Sequence, residues 1–313
     1  MRLWSSRGRL FRAAASLACA TLLALQSCAS VPRPLIAPPD VSGAVDFATI
    51  LRLSEAYRVM RYDKEEQTRA ALRASYDALT FVDLPKTKNR YMIGTLDSAR
   101  RQEIWIRGTA NLRNGLYDLQ FLKHRNEKLG INLHAGFERM ALAVYKDILP
   151  RLNRDYGLVI FGHSLGAAEA VILAMLLSTD GFHVTHVYAT GQPRVTDAEG
   201  VKKFDFLPIT RIMNDGDPVP LLPPRDIPSA ADPYAHLGKA VLLLDGPYYC
   251  LLGEDRSDDA LASSFWQMLS AEGTYAPVKE HLIPAYIERL ALKLSSPIQV
   301  PCADRALYGT KKK

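Results

Sequence analysis

A chain of 313 residues, 48% of them hydrophobic, carries enough apolar material for one large α/β domain or two small ones with a real core. The formal net charge is +6, but Arg2, Arg7, Arg9 and Arg12 lie in an N-terminal stretch free of acids, and Lys311, Lys312 and Lys313 crowd the other end. The body between them is close to neutral, which excludes the basic footprint of a nucleic-acid-binding protein.

Arg2 to Arg12 is a basic segment and Ala13 to Leu25 a short apolar one. A bilayer core takes about 20 residues of helix, so this stretch is too short to span it, and residues 1–27 are expected to be a signal peptide. Leu25-Gln26-Ser27-Cys28 resembles the lipobox of bacterial lipoproteins. The resemblance implies cleavage before Cys28, lipid attachment to it, and a membrane-anchored lipoprotein of the cell envelope. Ala29, where Asp would signal inner-membrane retention, points to the outer membrane. The alternative is a periplasmic or secreted protein in which Cys28 is incidental. Pro32, Pro34, Pro38 and Pro39 make residues 28–43 a semi-rigid tether at ~3.1 Å per residue. Residues 44–313 are then the folded domain. Its Cys250 and Cys302 are either a disulfide or two thiols.

Apolar spacing predicts helices over Ala44–Met60, Gln67–Leu79 and Gly136–Leu152. Strands are expected over Arg90–Leu96, Glu103–Arg107, Tyr156–Phe161, His183–Ala189, Leu207–Met213 and Lys239–Leu244. Further helices are expected over Ala167–Leu177, Thr196–Phe204, Asp258–Ala271 and Leu282–Leu294. This alternation predicts an α/β fold, a mostly parallel sheet with helices on both faces.

Gly162-His163-Ser164-Leu165-Gly166 stands between a β-branched strand and an Ala/Leu-rich helix, the context of a nucleophile elbow. Its glycines are required because side chains there would strike the neighbouring strand and helix. A serine hydroxyl becomes a nucleophile only when a base takes its proton and an acid orients that base. In a sheet of this kind the chain order is Ser, acid, His. The loop after Leu207–Met213 offers Asp215 and Asp217, and local composition does not separate them. Of the later histidines, His281 before the last helix is the expected base, and His236 before a strand is expected to be structural. His163 and His134 are expected to pack, and His124, His183 and His186 to lie at surfaces or strand edges. The oxyanion is expected to meet the backbone N–H of Leu165 and, after the strand ending at Arg107-Gly108, that of Thr109.

Several stretches together resemble the class 3 lipase family of serine esterases. Ile106-Arg107-Gly108-Thr109 is similar to its F-R-G-[ST] oxyanion loop, and Asn114-Gly115-Leu116-Tyr117-Asp118-Leu119 to its N-W-x-x-D-L run. His134-Ala135-Gly136-Phe137 is similar to its H-x-G-F segment, and Asp217-Pro218-Val219-Pro220 with Leu222-Pro223-Pro224 to its acid loop. Tyr234-Ala235-His236-Leu237-Gly238 is similar to a non-catalytic Y-x-H-x-G, and His281 stands where the family places its catalytic histidine. The resemblance implies the α/β-hydrolase fold and hydrolysis of lipid esters through an acyl-enzyme. It implies Ser164, Asp217 and His281 as the triad, with no metal and no cofactor. Ile106 for Phe, Gly115 for Trp and Ala167 for Gly depart from the family pattern, the first two near the acyl pocket and lid.

Leu116 to Ile131, apolar and then basic at Lys123, His124, Arg125 and Lys128, is expected to be either a small lid whose cations meet lipid head groups or a solvated loop. The expected partners are a lipid or ester substrate and, through Cys28, a membrane. Two rivals stand beside this expectation: a non-catalytic binding lipoprotein on the same scaffold, and a thioesterase or amidase using the same triad.

Overall fold

Strands buried on both sides should alternate their side chains between two cores, and the strands here do so. In the strand Gly157–His163, Leu158 and Ile160 enter one hydrophobic cluster while Val159 and Phe161 enter another. In Arg101–Ile106, Ile104 and Ile106 join the first and Trp105 the second. The computed structural model describes residues 45–62, 64–108, 122–223, 233–252 and 279–309. The expected signal peptide, Cys28, the proline tether, Thr109 and the helix over 258–271 lie outside the described residues.

In chain order the helices are α1 (Phe47–Tyr62), α2 (Glu65–Leu72), α3 (Ala135–Ile148), α4 (Leu165–Thr179), α5 (Ala198–Phe204) and α6 (Ile283–Ala291). The strands are β1 (Ala78–Leu84), β2 (Asn89–Leu96), β3 (Arg101–Ile106), β4 (Lys123–Asn126), β5 (Ile131–His134), β6 (Gly157–His163) and β7 (Val184–Thr190). They continue as β8 (Thr196–Asp197), β9 (Ile209–Asn214), β10 (Tyr234–Ala235), β11 (Lys239–Leu243), β12 (Tyr248–Leu252) and β13 (Ile298–Gln299). A nine-stranded sheet runs β1-β2-β3-β6-β7-β9-β11-β12-β13. From β3 to β11 every pairing is parallel. Antiparallel β1 and β2 close one side, and β12 pairs antiparallel with β11 on the other. A small sheet, β10-β8-β5-β4, stands apart from it.

Helices α3 and α4 supply the first core cluster, α1 and α6 the second. Helix α4 is apolar all round, and Leu165 to Leu177 are all buried, as expected of a helix at the centre of a layer. One sequence expectation is corrected. The helix predicted over Gln67–Leu79 stops at Leu72, because Leu79-Thr80-Phe81-Val82 prefers a strand and pairs with β2 across the Pro85–Lys88 turn. Cys250 on β12 forms a disulfide with Cys302, tying the C-terminal segment to the sheet edge.

Glu169 is the one acid inside α4 and is fully buried, with Asn89 Nδ2 donating to its Oε2 at 2.6 Å. Burial pushes its carboxyl up to about 8, against the opposing effect of the Asn89 hydrogen bond. The folded protein therefore keeps a proton that the unfolded chain has released. Its stability is full below the ordinary carboxyl range and falls as pH rises toward 8. Glu169→Gln removes this loss while keeping the shape. In urea titrations the variant is expected to exceed wild type by at least about 1 kcal/mol at pH 8 and to gain nothing at pH 4.

Candidate active site

The carboxyl ends of the parallel strands gather the groups that matter. Ser164 follows β6 directly and has φ 60° and ψ −127°, a strained conformation for a residue with a side chain. Close packing enforces the strain. A Cβ on Gly162 would stand 2.2 Å from Gly166 O, and one on Gly166 would stand 2.1 Å from Ile106 O of β3. Strand, turn and helix therefore close on one another only with glycine at both places. Leu165 begins α4, so its N–H lies among the amides of a helix start that have no intrahelical acceptor.

The structure brings three distant side chains together. His281 Nε2 lies 2.8 Å from Ser164 Oγ, and its Nδ1 lies 2.8 Å from Asp217 Oδ2 and 3.1 Å from Oδ1. Because Nδ1 faces a carboxylate it carries the proton, which leaves the Nε2 lone pair toward the serine hydroxyl. Ser164 is 6% exposed, Asp217 3% and His281 0%, so water competes little for these bonds. Asp217 sits on the turn after β9, held by the Val219 N–H donating to its Oδ1 at 2.9 Å. Of the two acids on that loop it is Asp217 whose carboxylate meets His281 Nδ1. His281 ends a short turn whose place is fixed by Asn214 Nδ2 donating to Glu280 O at 2.8 Å.

Two further residues escape a reading of the sequence. Tyr286 on α6 is fully buried and donates its hydroxyl to Asp217 Oδ2 at 2.5 Å. Burial and then the charge of Asp217 hold the Tyr286 phenol well above its ordinary range, so it remains a donor. With Val219 N–H it orients the acid. Its spacing on an amphipathic helix signals only core. Tyr286→Phe is expected to lower kcat about tenfold with little change in KM, measured on a soluble ester. The second is His163, whose ring stacks on His281 with centroids 4.9 Å apart. Thr190 Oγ1 donates to Gly162 O at 3.2 Å, so at 3.1 Å it accepts from His163 Nδ1. Burial, and then repulsion from His281, hold His163 well below its ordinary range. A neutral ring therefore faces His281 whenever His281 becomes charged.

The other histidines are structural. His134 Nδ1 accepts from the Gly136 and Phe137 N–H groups and caps α3, and burial lowers it to about 4. His236 Nε2 lies 2.6 Å from Pro220 O. His124 is exposed and lies 2.9 Å from Glu138 Oε2. His183 is exposed and His186 half-buried on β7. The lid expected over Leu116–Ile131 is corrected where it is described. Residues 122–131 contain β4 and the turn into β5. Lys123 there faces Asp197, Arg125 faces Glu199 and Lys128 faces Asp180, so these cations meet the protein's own acids.

A narrow cleft opens onto Ser164, lined also by Tyr57, Arg61, Arg107, His163 and Leu282. A nucleophile, a base and an orienting acid beside such a cleft can perform acyl transfer.

Residues 104–227 match the family described as lipase (class 3). Over 127 residues the chain is 36% identical to the secreted mono- and diacylglycerol lipase A of Penicillium cyclopium, covering 38% of this chain and 41% of that protein. Over 167 residues it is 29% identical to a lipase of Rhizomucor miehei, covering 49% of this chain and 45% of that one. The chain thus spans less than half the length of these curated relatives. Its fold is similar to the crystal structure of the lipase from Rhizopus microsporus var. chinensis. The TM-score is 0.53 at 22% identity, over 68% of this chain and 80% of that one. The sheet order and the strand–turn–helix at Ser164 are those of an α/β-hydrolase fold. The stretch that carries the elbow and the acid loop, residues 104–227, is thus the part of the chain that matches the class 3 lipase family.

Proposed function

We propose that this chain is a serine hydrolase that cleaves carboxylic esters of lipids through an acyl-enzyme. Ser164 Oγ attacks the ester carbonyl while His281 Nε2 takes its proton. Asp217 holds the imidazole in the productive tautomer and stabilises the imidazolium. The Leu165 N–H steadies the oxyanion, with Thr109 as the second donor expected from the sequence. His281 returns its proton to the leaving alcohol, and water then releases the acyl group. The observation that carries this reading is the unbroken contact from Ser164 Oγ through His281 to Asp217. Names of relatives that include mono- and diacylglycerol lipase support a glyceride substrate.

Upstream, residues 1–27 serve as an export signal and Cys28 as the site of a lipid anchor to the outer membrane. The Cys250–Cys302 disulfide supports an oxidising compartment, which fits export. The functional reading is tested by assaying p-nitrophenyl butyrate and dioleoylglycerol with wild type and Ser164→Ala side by side. Turnover of both esters by wild type alone is expected, whereas equal rates in the two proteins would exclude Ser164 as the nucleophile.

A further inference from the structure

The cleft at Ser164 is not electrically neutral. Two guanidinium groups line it, Arg61 from the end of α1 and Arg107 from the end of β3. Arg107 is half-buried, and its Nε is enclosed with no hydrogen-bond partner among the described residues. Its backbone is pinned by the Tyr57 hydroxyl, which donates to Arg107 O at 3.1 Å. Asp83 acts on it through its charge, but Arg90 holds that carboxylate through both oxygens, with Nε and Nη2 each at 2.8 Å. Burial first, then the charge of Arg90, push the Arg107 pKa down, and among the described residues no carboxylate is paired with it. Arg61 lies beside the phenols of Tyr57 and Tyr62, and its charge adds to that on Arg107. Desolvating a cation is costly unless an anion meets it, so a cleft of this kind favours a ligand that brings the anion.

We propose that Arg107 and Arg61 form a subsite for an anionic group of the substrate, a phosphate, seated while a neighbouring acyl ester lies at Ser164. This rests on the hydrolase reading and names its substrate class, a glycerophospholipid, in which only the glycerol backbone separates an acyl ester from the phosphate. The phosphate bonds are untouched. The bond that breaks joins the acyl carbon to the glycerol oxygen, which leaves with the proton from His281, and water frees Ser164. Planar guanidinium suits phosphate because it presents paired donors.

The test uses the full chain and two substrates of the same acyl length, dilauroylphosphatidic acid and dilauroylglycerol. Each is presented at one mole fraction in neutral detergent micelles. The readout is the ratio of kcat/KM for the phosphate ester to that for the neutral ester. Wild type is expected to favour the phosphate ester at least tenfold. Arg107→Gln is expected to lower the ratio at least tenfold, with partial recovery in Arg107→Lys. Arg61→Gln is expected to lower it at least threefold, and it carries the test should Arg107→Gln fail to fold. A wild-type ratio of one or below, or equal losses on both substrates, overturns the subsite. Inorganic phosphate against p-nitrophenyl butyrate separates the sources. Competitive inhibition that Arg107→Gln abolishes supports a site open to free phosphate. No inhibition with the ratio retained supports one that needs the head group. A chain that turns over only the neutral ester overturns the subsite alone, and one that turns over neither overturns the hydrolase reading with it.

Discussion

Ser164→Ala is expected to lower kcat on p-nitrophenyl esters by about 10⁴-fold or more. The substitution removes one oxygen and nothing else from the elbow. Alanine keeps the Cβ that already accepts φ 60°, so the turn between Gly162 and Gly166 has no new reason to move. The N–H of Leu165 and the cleft remain, and they leave a residual acceleration over water. What is lost is the covalent route, in which attack and leaving-group departure are separated and His281 serves both. Steady-state assays with a matched thermal melt distinguish this loss from unfolding. KM is expected to move far less than kcat, because no atom of the acyl cleft is removed.

Asp217→Asn is expected to cost about as much, on the order of 10⁴-fold in kcat, without altering the shape of the loop. The physical reason is a tautomer. Asp217 accepts from His281 Nδ1 at 2.8 Å, which keeps the Nε2 lone pair toward Ser164. An amide that offers its NH₂ to Nδ1 favours the other tautomer, with the proton on Nε2, and the base can no longer accept from the serine. The imidazolium formed in the transition state also loses its counterion in a site where Asp217 and His281 are 3% and 0% exposed. Comparison with Tyr286→Phe grades the two effects, since that change keeps the charge of the acid and removes only one of its orienting donors.

The sheet centre was legible because its residues leave little choice. Leu158 to Phe161 is β-branched and aromatic, Ala167 to Leu177 is built from strong helix formers, and the glycines between fit only a tight turn. His281 followed from chain order, while Asp217 needed the family resemblance, because Asp215 shares its loop and its chemistry. The small sheet was invisible for a different reason. Lys123-His124-Arg125-Asn126 has no apolar alternation, and β8 and β10 are two residues each, so pairing partners define them rather than local propensity. Tyr286 and His163 were hidden because a buried aromatic at helical or strand spacing signals core, and only the folded chain shows that the first touches Asp217 and the second His281. Arg107 was noted as part of an oxyanion-loop motif. That no acid among the described residues pairs with it depends on Arg90 having taken Asp83, a pairing across β1 and β2 that spacing alone does not reveal.

The most direct measurement is the mass of the protein after reaction with a fluorophosphonate, followed by peptide mapping. A single phosphonyl adduct on the peptide containing Ser164 is predicted, formed at the rate at which ester hydrolysis is lost and absent from Ser164→Ala. Ester turnover that survives full labelling, or an adduct that maps to another residue, would contradict the account.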